Sequence, residues 1–324
     1  MRLKVGIAGA GGIAGTMART LNQMETASAY AVASRDYQKA KTFAGAYNIE
    51  KAYGSYGEMF GDPKVDLVYI ATPHSHHYEQ MKEALGEGKN VLCEKAFTVN
   101  AAQALEILEL GKKKKLLVAE GIWTRYLPLR NIINETMASG IIGTPRFLSA
   151  VFSNPIAHIE RIARPELAGG ALLDTGVYPI NFALMTFGGG IKEIVSAMRF
   201  LDSGVDAEDN IIFRYADGRT ALLHACVQAA GPGRCTIEGE KGHIEIDPIL
   251  NAKKITVYDA AKTVTGVKEV PPQISGFEYE VESCRKAIEE GKIECPEMPH
   301  SEILKVMKIM DSIRNSGGFK YPGE

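Results

Sequence analysis

Apolar positions along the first third of the chain fall into two alternating patterns. Short apolar runs at 3–9 (LKVGIAG), 28–34 (SAYAVAS), 51–53, 66–72 (DLVYIAT), 89–95 (KNVLCEK) and 116–121 (LLVAEG) read as strands. Between them, 12–24, 36–48, 55–62, 76–88 and 100–115 carry apolar residues near the three-to-four spacing of a helix. Such alternation predicts a doubly wound parallel sheet with right-handed crossovers. After Trp123 the texture changes. Helices are predicted at 124–140 and 169–188, with strands at 144–154, 193–201 and 253–259. Two hairpins are predicted, turned by Asp217-Gly218 and Lys241-Gly242. Helices at 276–290 and 300–315 close the chain. The expected class is α/β: a parallel domain over 1–122, then an α+β domain over 123–324 with an open, mostly antiparallel sheet.

Composition narrows the partners. The 324 residues hold 37 Lys+Arg against 39 Asp+Glu, so the basic excess of a nucleic-acid binder is missing. No apolar run approaches the ~20 residues of a membrane span, and no signal-peptide layout precedes the first strand. Cys93, Cys226, Cys235, Cys284 and Cys295 form no CxxC pair. They read as reduced thiols of a cytoplasmic protein. The GKKKK run at 111–115 reads as a solvated helix end, where cations meet the negative end of the dipole.

The sharpest local signal is GAGGIA, from Gly9 to Ala14. It fits G-x-G-x-x-G/A through Gly9, Gly11 and Ala14, between a strand and a helix. Gly9 permits the tight turn, Gly11 lets a pyrophosphate approach the backbone, and Ala14 lets the helix pack on the strand. N–H groups at the helix start, including those of Gly12 and Ile13, are then expected to hold the phosphates. The first domain therefore reads as a dinucleotide-binding Rossmann domain. An NAD site usually places Asp or Glu at the end of the second strand. Here Ser34 takes that place, followed by Arg35, with Lys39 one turn on. A hydroxyl and cations suit the extra charge of a 2′-phosphate, so NADP is expected over NAD. In a register shifted toward Asp36, NAD would be favoured.

Three later motifs make a family resemblance plain: ATPHSHHYE (71–79), VLCEKAFTVN (91–100) and GGALLDTGVYPIN (169–181). With GAGGIA they resemble the Gfo/Idh/MocA oxidoreductases over essentially the whole chain. AEGIWTRYLP (119–128) narrows the resemblance to the branch holding dimeric dihydrodiol dehydrogenase and NADP-dependent D-xylose dehydrogenase. The family's Glu-Lys-Pro motif falls on Glu94-Lys95-Ala96, which implies Lys95 as the catalytic lysine. Ala96 replaces the usual proline, and a trans bond is expected there because a cis bond before a non-proline costs about 2.5–4 kcal/mol. The D-x-G-x-H motif falls on Asp174 to Tyr178, with tyrosine in place of histidine. The resemblance places Thr72, Pro73 and His77 beside the nicotinamide ribose, and Trp123 as a wall of the substrate pocket. Arg125, Arg146, Phe152 and Phe277 are further pocket candidates, Phe277 as its closing residue.

The implied chemistry is hydride transfer between the nicotinamide and a hydroxyl-bearing carbon of a sugar, cyclic polyol or trans-dihydrodiol. Tyr178 is the candidate general acid/base, and the Lys95 ammonium would favour its ionised form. Asp174, four residues before Tyr178, is expected on the same helix face, to orient substrate or Lys95. Each residue keeps a plain structural alternative. Lys95 is otherwise a solvated strand end, Asp174 a helix cap, Tyr178 a core aromatic, Trp123 a hinge aromatic and Phe277 a core residue. His74, His76 and His77 lack a compact ligand set, so no metal is expected. The alternative function is a catalytically silent NADP-binding sensor. The resemblance implies a homodimer or higher homo-oligomer, with the open sheet face as its expected surface.

Overall fold

The computed structural model describes residues 2–322 and 324. The chain divides into two compact units, Met1–Tyr126 with Gln273–Met307, and Leu127–Pro272 with Lys308–Glu324.

The first unit runs β1 (Leu3–Ala8), α1 (Gly12–Leu21), β2 (Ala27–Ala33), α2 (Tyr37–Tyr47), β3 (Lys51–Tyr53), α3 (Tyr56–Phe60), β4 (Leu67–Ile70), α4 (His74–Gly86), β5 (Asn90–Glu94), α5 (Ala101–Lys114) and β6 (Val118–Gly121). Its strands pair in parallel in the order β3-β2-β1-β4-β5-β6. That is the doubly wound Rossmann order, whose ligand crevice lies where the order reverses, at the carboxyl ends of β1 and β4. β4 and β6 are buried at every position, which explains the continuous apolar run of β4 and leaves Glu120 of β6 as a buried charge. Side chains cap three of the helix starts in this stretch. Asp36 accepts the N–H groups of Gln38 and Lys39, Ser55 that of Glu58, and Asn100 that of Gln103.

The second unit adds α6 (Leu129–Ala138), β7 (Pro145–Ser153), α7 (Glu160–Ala163), α8 (Val177–Phe187), β8 (Ile191–Phe200), β9 (Asp206–Tyr215), β10 (Thr220–Cys226), β11 (Arg234–Gly239), β12 (Gly242–Ile246), β13 (Lys254–Asp259) and β14 (Val264–Glu269). The sheet order is β14-β13-β12-β11-β7-β10-β9-β8. Both predicted hairpins form, β9–β10 and β11–β12. Every pairing is antiparallel except β7 with β10. The apolar helix α8 packs on β7 and β10. β14 was not among the predicted strands, because its VTGVKE sequence lies on an exposed edge and lacks apolar alternation. The helix predicted from 124 begins only at Leu129, after a short 3₁₀ turn at Trp123–Arg125. Pro128 donates no N–H, so it suits a helix start and not an interior.

α9 (Glu278–Glu289) and α10 (His300–Ser316) complete the chain. The expected second domain, 123–324, is interrupted here, since residues 273–307 group with the first unit. The edge of the first sheet gives the reason. β6 is the outermost strand, and a bare edge leaves backbone groups unpaired. The Val118 N–H donates to Ile293 O at 2.9 Å, and a His300 ring nitrogen lies 2.9 Å from Val118 O. Among the described residues, no helix is long and apolar enough to cross a membrane.

Candidate active site

The glycine loop after β1 has the features a dinucleotide requires. Gly9 sits at φ +113°, and a Cβ there would meet Ala71 O at 2.7 Å. This glycine is demanded by backbone conformation and by the close approach of the loop after β4. A Cβ on Gly11 or Gly12 would meet nothing within 4 Å, so open space lies over both. No side chain caps α1 at Gly11. Its first N–H groups, those of Gly12, Ile13 and Ala14, have no intrahelical acceptors, and an anion is their natural partner. Ala14 is fully buried against the sheet, while Ile13 is partly exposed. These residues fit a dinucleotide pyrophosphate.

At the end of β2, Ser34 donates its N–H to Tyr53 O, and its hydroxyl accepts the Asp36 N–H. Asp36 spends one carboxylate oxygen capping α2. Arg35 and Lys39 are exposed, and the Arg35 charge reaches both Tyr56 and His76. Burial, followed by that guanidinium, lowers the His76 proton affinity. Arg35, Tyr56 and His76 therefore share one neighbourhood, which the sequence reading did not anticipate.

The His77 imidazole ties the Thr72-Pro73 turn before α4 to the turn that follows Glu94 and Lys95. His77 is fully buried, with Nε2 at 2.9 Å from Thr72 O and Nδ1 at 2.9 Å from Ala96 O. Burial pushes its pKa down to about 4. A neutral ring holds one proton, so it donates to one of these carbonyls at a time. Thr72 Oγ1 also donates to Gln80 Oε1 at 2.7 Å, and Pro73 immediately precedes α4. The Lys95–Ala96 bond is cis, which corrects the expected trans geometry. The surrounding turn is fixed on both sides, by His77 at Ala96 O and by Glu120 Oε1 at the Phe97 N–H.

Glu94 is buried and accepts a short hydrogen bond from the Tyr69 hydroxyl. Glu120 and Glu280 are buried nearby, and a Cβ on Gly121 would lie 3.6 Å from either Glu280 oxygen. Burial raises the Glu280 proton affinity well above the usual carboxyl range, and Glu94 adds to the effect. This buried acid group was missed. Its signal was present, since Glu120 lies in the otherwise apolar run LLVAEG.

Of the pocket candidates, Trp123 and Phe277 meet, with ring centroids 4.7 Å apart. Arg125 is almost fully buried, with Nη2 at 3.2 Å from Glu302 Oε2. In the second unit the Phe152 ring meets Tyr178 edge-on at 5.6 Å. Arg146 is not brought to them. It is six residues, or about 20 Å, along the strand from Phe152, and it pairs with Glu240. Asp174 and Tyr178 are not on one regular helix, because Leu172–Gly176 forms a π-helical turn before α8. Arg161 Nη1 holds Asp174 Oδ1 at 2.7 Å. Behind the turn, the Leu172 N–H donates to Asp206 Oδ2 at 2.5 Å, and Asp209 is buried beside it. Burial raises the proton affinity of both acids. Arg161, Asp206 and Asp209 had no place in the sequence reading.

Comparison with known proteins places both halves of the chain in one family. Residues 3–122 match the oxidoreductase family with an NAD-binding Rossmann fold, and 132–245 match the Gfo/Idh/MocA C-terminal domain. A trans-1,2-dihydrobenzene-1,2-diol dehydrogenase of Xenopus laevis is 36% identical over 298 residues, covering 90% of each chain. A D-xylose 1-dehydrogenase (NADP(+)) of Hypocrea jecorina is 32% identical over 99% of this chain and 93% of its own. The 3-ketoreductase KijD10 of Actinomadura kijaniata, solved with NADP and TDP-benzene, has a TM-score of 0.88 at 25% identity, covering 97% of this chain and 98% of its own. With both halves matched and relatives above 30% identity along nearly its full length, the chain belongs to the Gfo/Idh/MocA oxidoreductase family.

Proposed function

We propose that this protein is an NADP(H)-dependent oxidoreductase acting on a hydroxyl-bearing carbon of a sugar, cyclic polyol or trans-dihydrodiol. The observation that carries the cofactor reading is the uncapped α1 N-terminus under open space at Gly11 and Gly12. Arg35 beyond β2, and an Asp36 already engaged as a helix cap, favour a 2′-phosphate over a bare ribose hydroxyl. The full-length relatives named for a dihydrodiol and for xylose with NADP(+) support the substrate class.

When bound, the nicotinamide supplies the hydride acceptor or donor. The protein must manage the hydroxyl proton. Tyr178 takes or gives that proton, and Lys95 stabilises the developing oxyanion and the tyrosinate. Asp174, held by Arg161, orients the substrate. Trp123 and Phe277 supply an aromatic wall, and Phe152 supports the Tyr178 ring. Five free, buried cysteines are consistent with a cytoplasmic setting. The protein is further read as a homodimer through its open sheet face, where Val195, Ile212 and Leu222 form one apolar row across β8, β9 and β10. Light scattering on the purified protein tests that pairing, and a monomer at micromolar concentration removes it.

A panel of aldoses, inositols and trans-diols assayed with NADP+ and NAD+ tests the reaction. Turnover should be faster with NADP+. Tyr178→Phe should bind NADPH normally and lose ~100-fold or more in kcat. Unchanged turnover removes Tyr178 from the chemistry.

A further inference from the structure

The turn that follows Lys95 is held by a carboxyl group that hydride transfer does not itself require. Glu120 lies in β6, directly across the ladder from Cys93 of β5. It is 1% exposed. Its Oε1 accepts the Phe97 N–H at 3.1 Å. Its Oε2 is buried and has no hydrogen-bond partner among the described residues. Glutamine would satisfy the Phe97 amide equally well without bringing a charge, so the ionisable group needs its own explanation.

The surroundings of Glu120 are mixed in charge. From β5 and its following turn come Cys93, Glu94 and Lys95. Glu280 of α9 lies against Gly121, and Tyr69 of β4 is bonded to Glu94. From the 3₁₀ turn comes Arg125, already paired with Glu302 of α10. The Tyr126 hydroxyl donates to the Glu120 backbone carbonyl at 3.0 Å. Burial pushes the Glu120 pKa up to about 7, while Arg125, the Phe97 N–H and Lys95 act the other way. Its charge therefore changes near neutral pH, and the Lys95 charge acts on it.

We propose that Glu120 is a positioning residue for Lys95, holding the backbone turn after the lysine through the Phe97 amide and setting, by its own ionisation, the charge that faces the ammonium. The proton exchanges with solvent and takes no part in turnover. The structural half of this role stands alone, whereas the kinetic half rests on the oxidoreductase reading above.

Selective ¹⁵N-phenylalanine labelling of the full chain gives a readout that needs no turnover. The Phe97 amide, assigned with Phe97→Tyr, should titrate with a midpoint near 7. Glu120→Gln, nearly isosteric and able to accept the same hydrogen bond, should abolish that titration while the rest of the spectrum stays in place. Lys95→Met removes the ammonium that favours ionised Glu120, so the midpoint should rise. In kinetics, Glu120→Gln should remove an ionisation near 7 from the kcat profile. Glu120→Leu, which strands the Phe97 N–H, should lower kcat about tenfold or more, with the KM for cofactor little changed. A Phe97 shift that is flat across two pH units either side of neutrality overturns the proposal, as does a midpoint indifferent to Lys95→Met. Titration as expected in a protein that turns over no substrate would defeat the functional reading and leave the coupling of Glu120 to Lys95 standing.

Discussion

Each unit places a buried acid behind a segment proposed to do chemistry, and the two acids sit in opposite company. In the first unit, Glu120 accepts one backbone N–H and faces the cations Lys95 and Arg125. In the second, Asp206 accepts the Leu172 N–H and faces a second acid, Asp209. Burial raises the proton affinity in both places. Cations check the rise at Glu120, which comes to rest at about 7. At the aspartate pair Asp206 opposes ionisation of Asp209, while a hydrogen bond from Asp209 favours ionised Asp206, so the pair resists carrying two charges. The difference teaches that burial alone does not define an acid's role. The first acid is poised to change charge under ordinary conditions, and the second pair is built to keep a proton.

The largest expected effect tests the poised acid. The folded-state value of Glu120, about 7, lies above its ordinary 4.5. Its contribution to stability is full below the unfolded value and is lost as pH rises through the folded one. Across that window the wild type should lose roughly 3 kcal/mol relative to Glu120→Gln. His77, pushed down to about 4, titrates with the opposite sign, but it is present in both proteins and cancels in the difference. Urea unfolding of both at several pH values measures this, and a pH-independent difference breaks the comparison.

Next in size is the second unit. Asp206→Ala strands the Leu172 N–H and should cost about 2 kcal/mol in urea unfolding at neutral pH. Asp209→Asn keeps the volume and removes the like acid, so its cost should be well under half of that. Equal costs would mean that the two acids do not act as a pair. A smaller effect of opposite sign is expected at Glu280, whose carboxyl oxygens are buried without partners among the described residues. Glu280→Met should stabilise by about 1 kcal/mol, read as a higher Tm, because an apolar side chain of similar shape replaces an unsatisfied polar one. A lower Tm would show that Glu280 has a stabilising role after all. The smallest stability change belongs to Gly11→Ala, which projects into open space. It should stay within about 0.5 kcal/mol of wild type yet weaken NADPH binding about tenfold or more, measured by quenching of Trp123 fluorescence. Normal affinity in that variant would move the phosphates elsewhere.

Features governed by neighbours in sequence were legible from the sequence. The glycine loop at 9–14, the two hairpins and the apolar strands β1 to β6 each follow from residues within one turn or one strand. Two boundaries were misread for equally local reasons. Pro128 shortens the helix expected from 124, and the GGALLDTG stretch opens as a π turn that apolar periodicity does not distinguish from an α-helix. The supporting residues were hidden because they act across sequence distance. Glu120 meets Phe97, Arg161 meets Asp174, and Asp206 meets Leu172. An acidic residue inside an apolar strand was the visible trace of Glu120 in β6, whereas Asp206 and Asp209 fall in the polar first half of β9, and nothing in either neighbourhood named a partner.

By itself the sequence determined most of the order of strands and helices and a glycine loop suited to phosphate, and its family resemblance named the candidate pair Lys95 and Tyr178. Periodicity, turn residues and motif spacing are carried by adjacent positions and survive without coordinates. Only the tertiary structure decided that 273–307 returns to cover the β6 edge, that Arg125 is committed to Glu302, and that buried acids stand behind both proposed catalytic segments. Those outcomes depend on which groups lose water together, and burial is a property of the packed chain that no single segment contains.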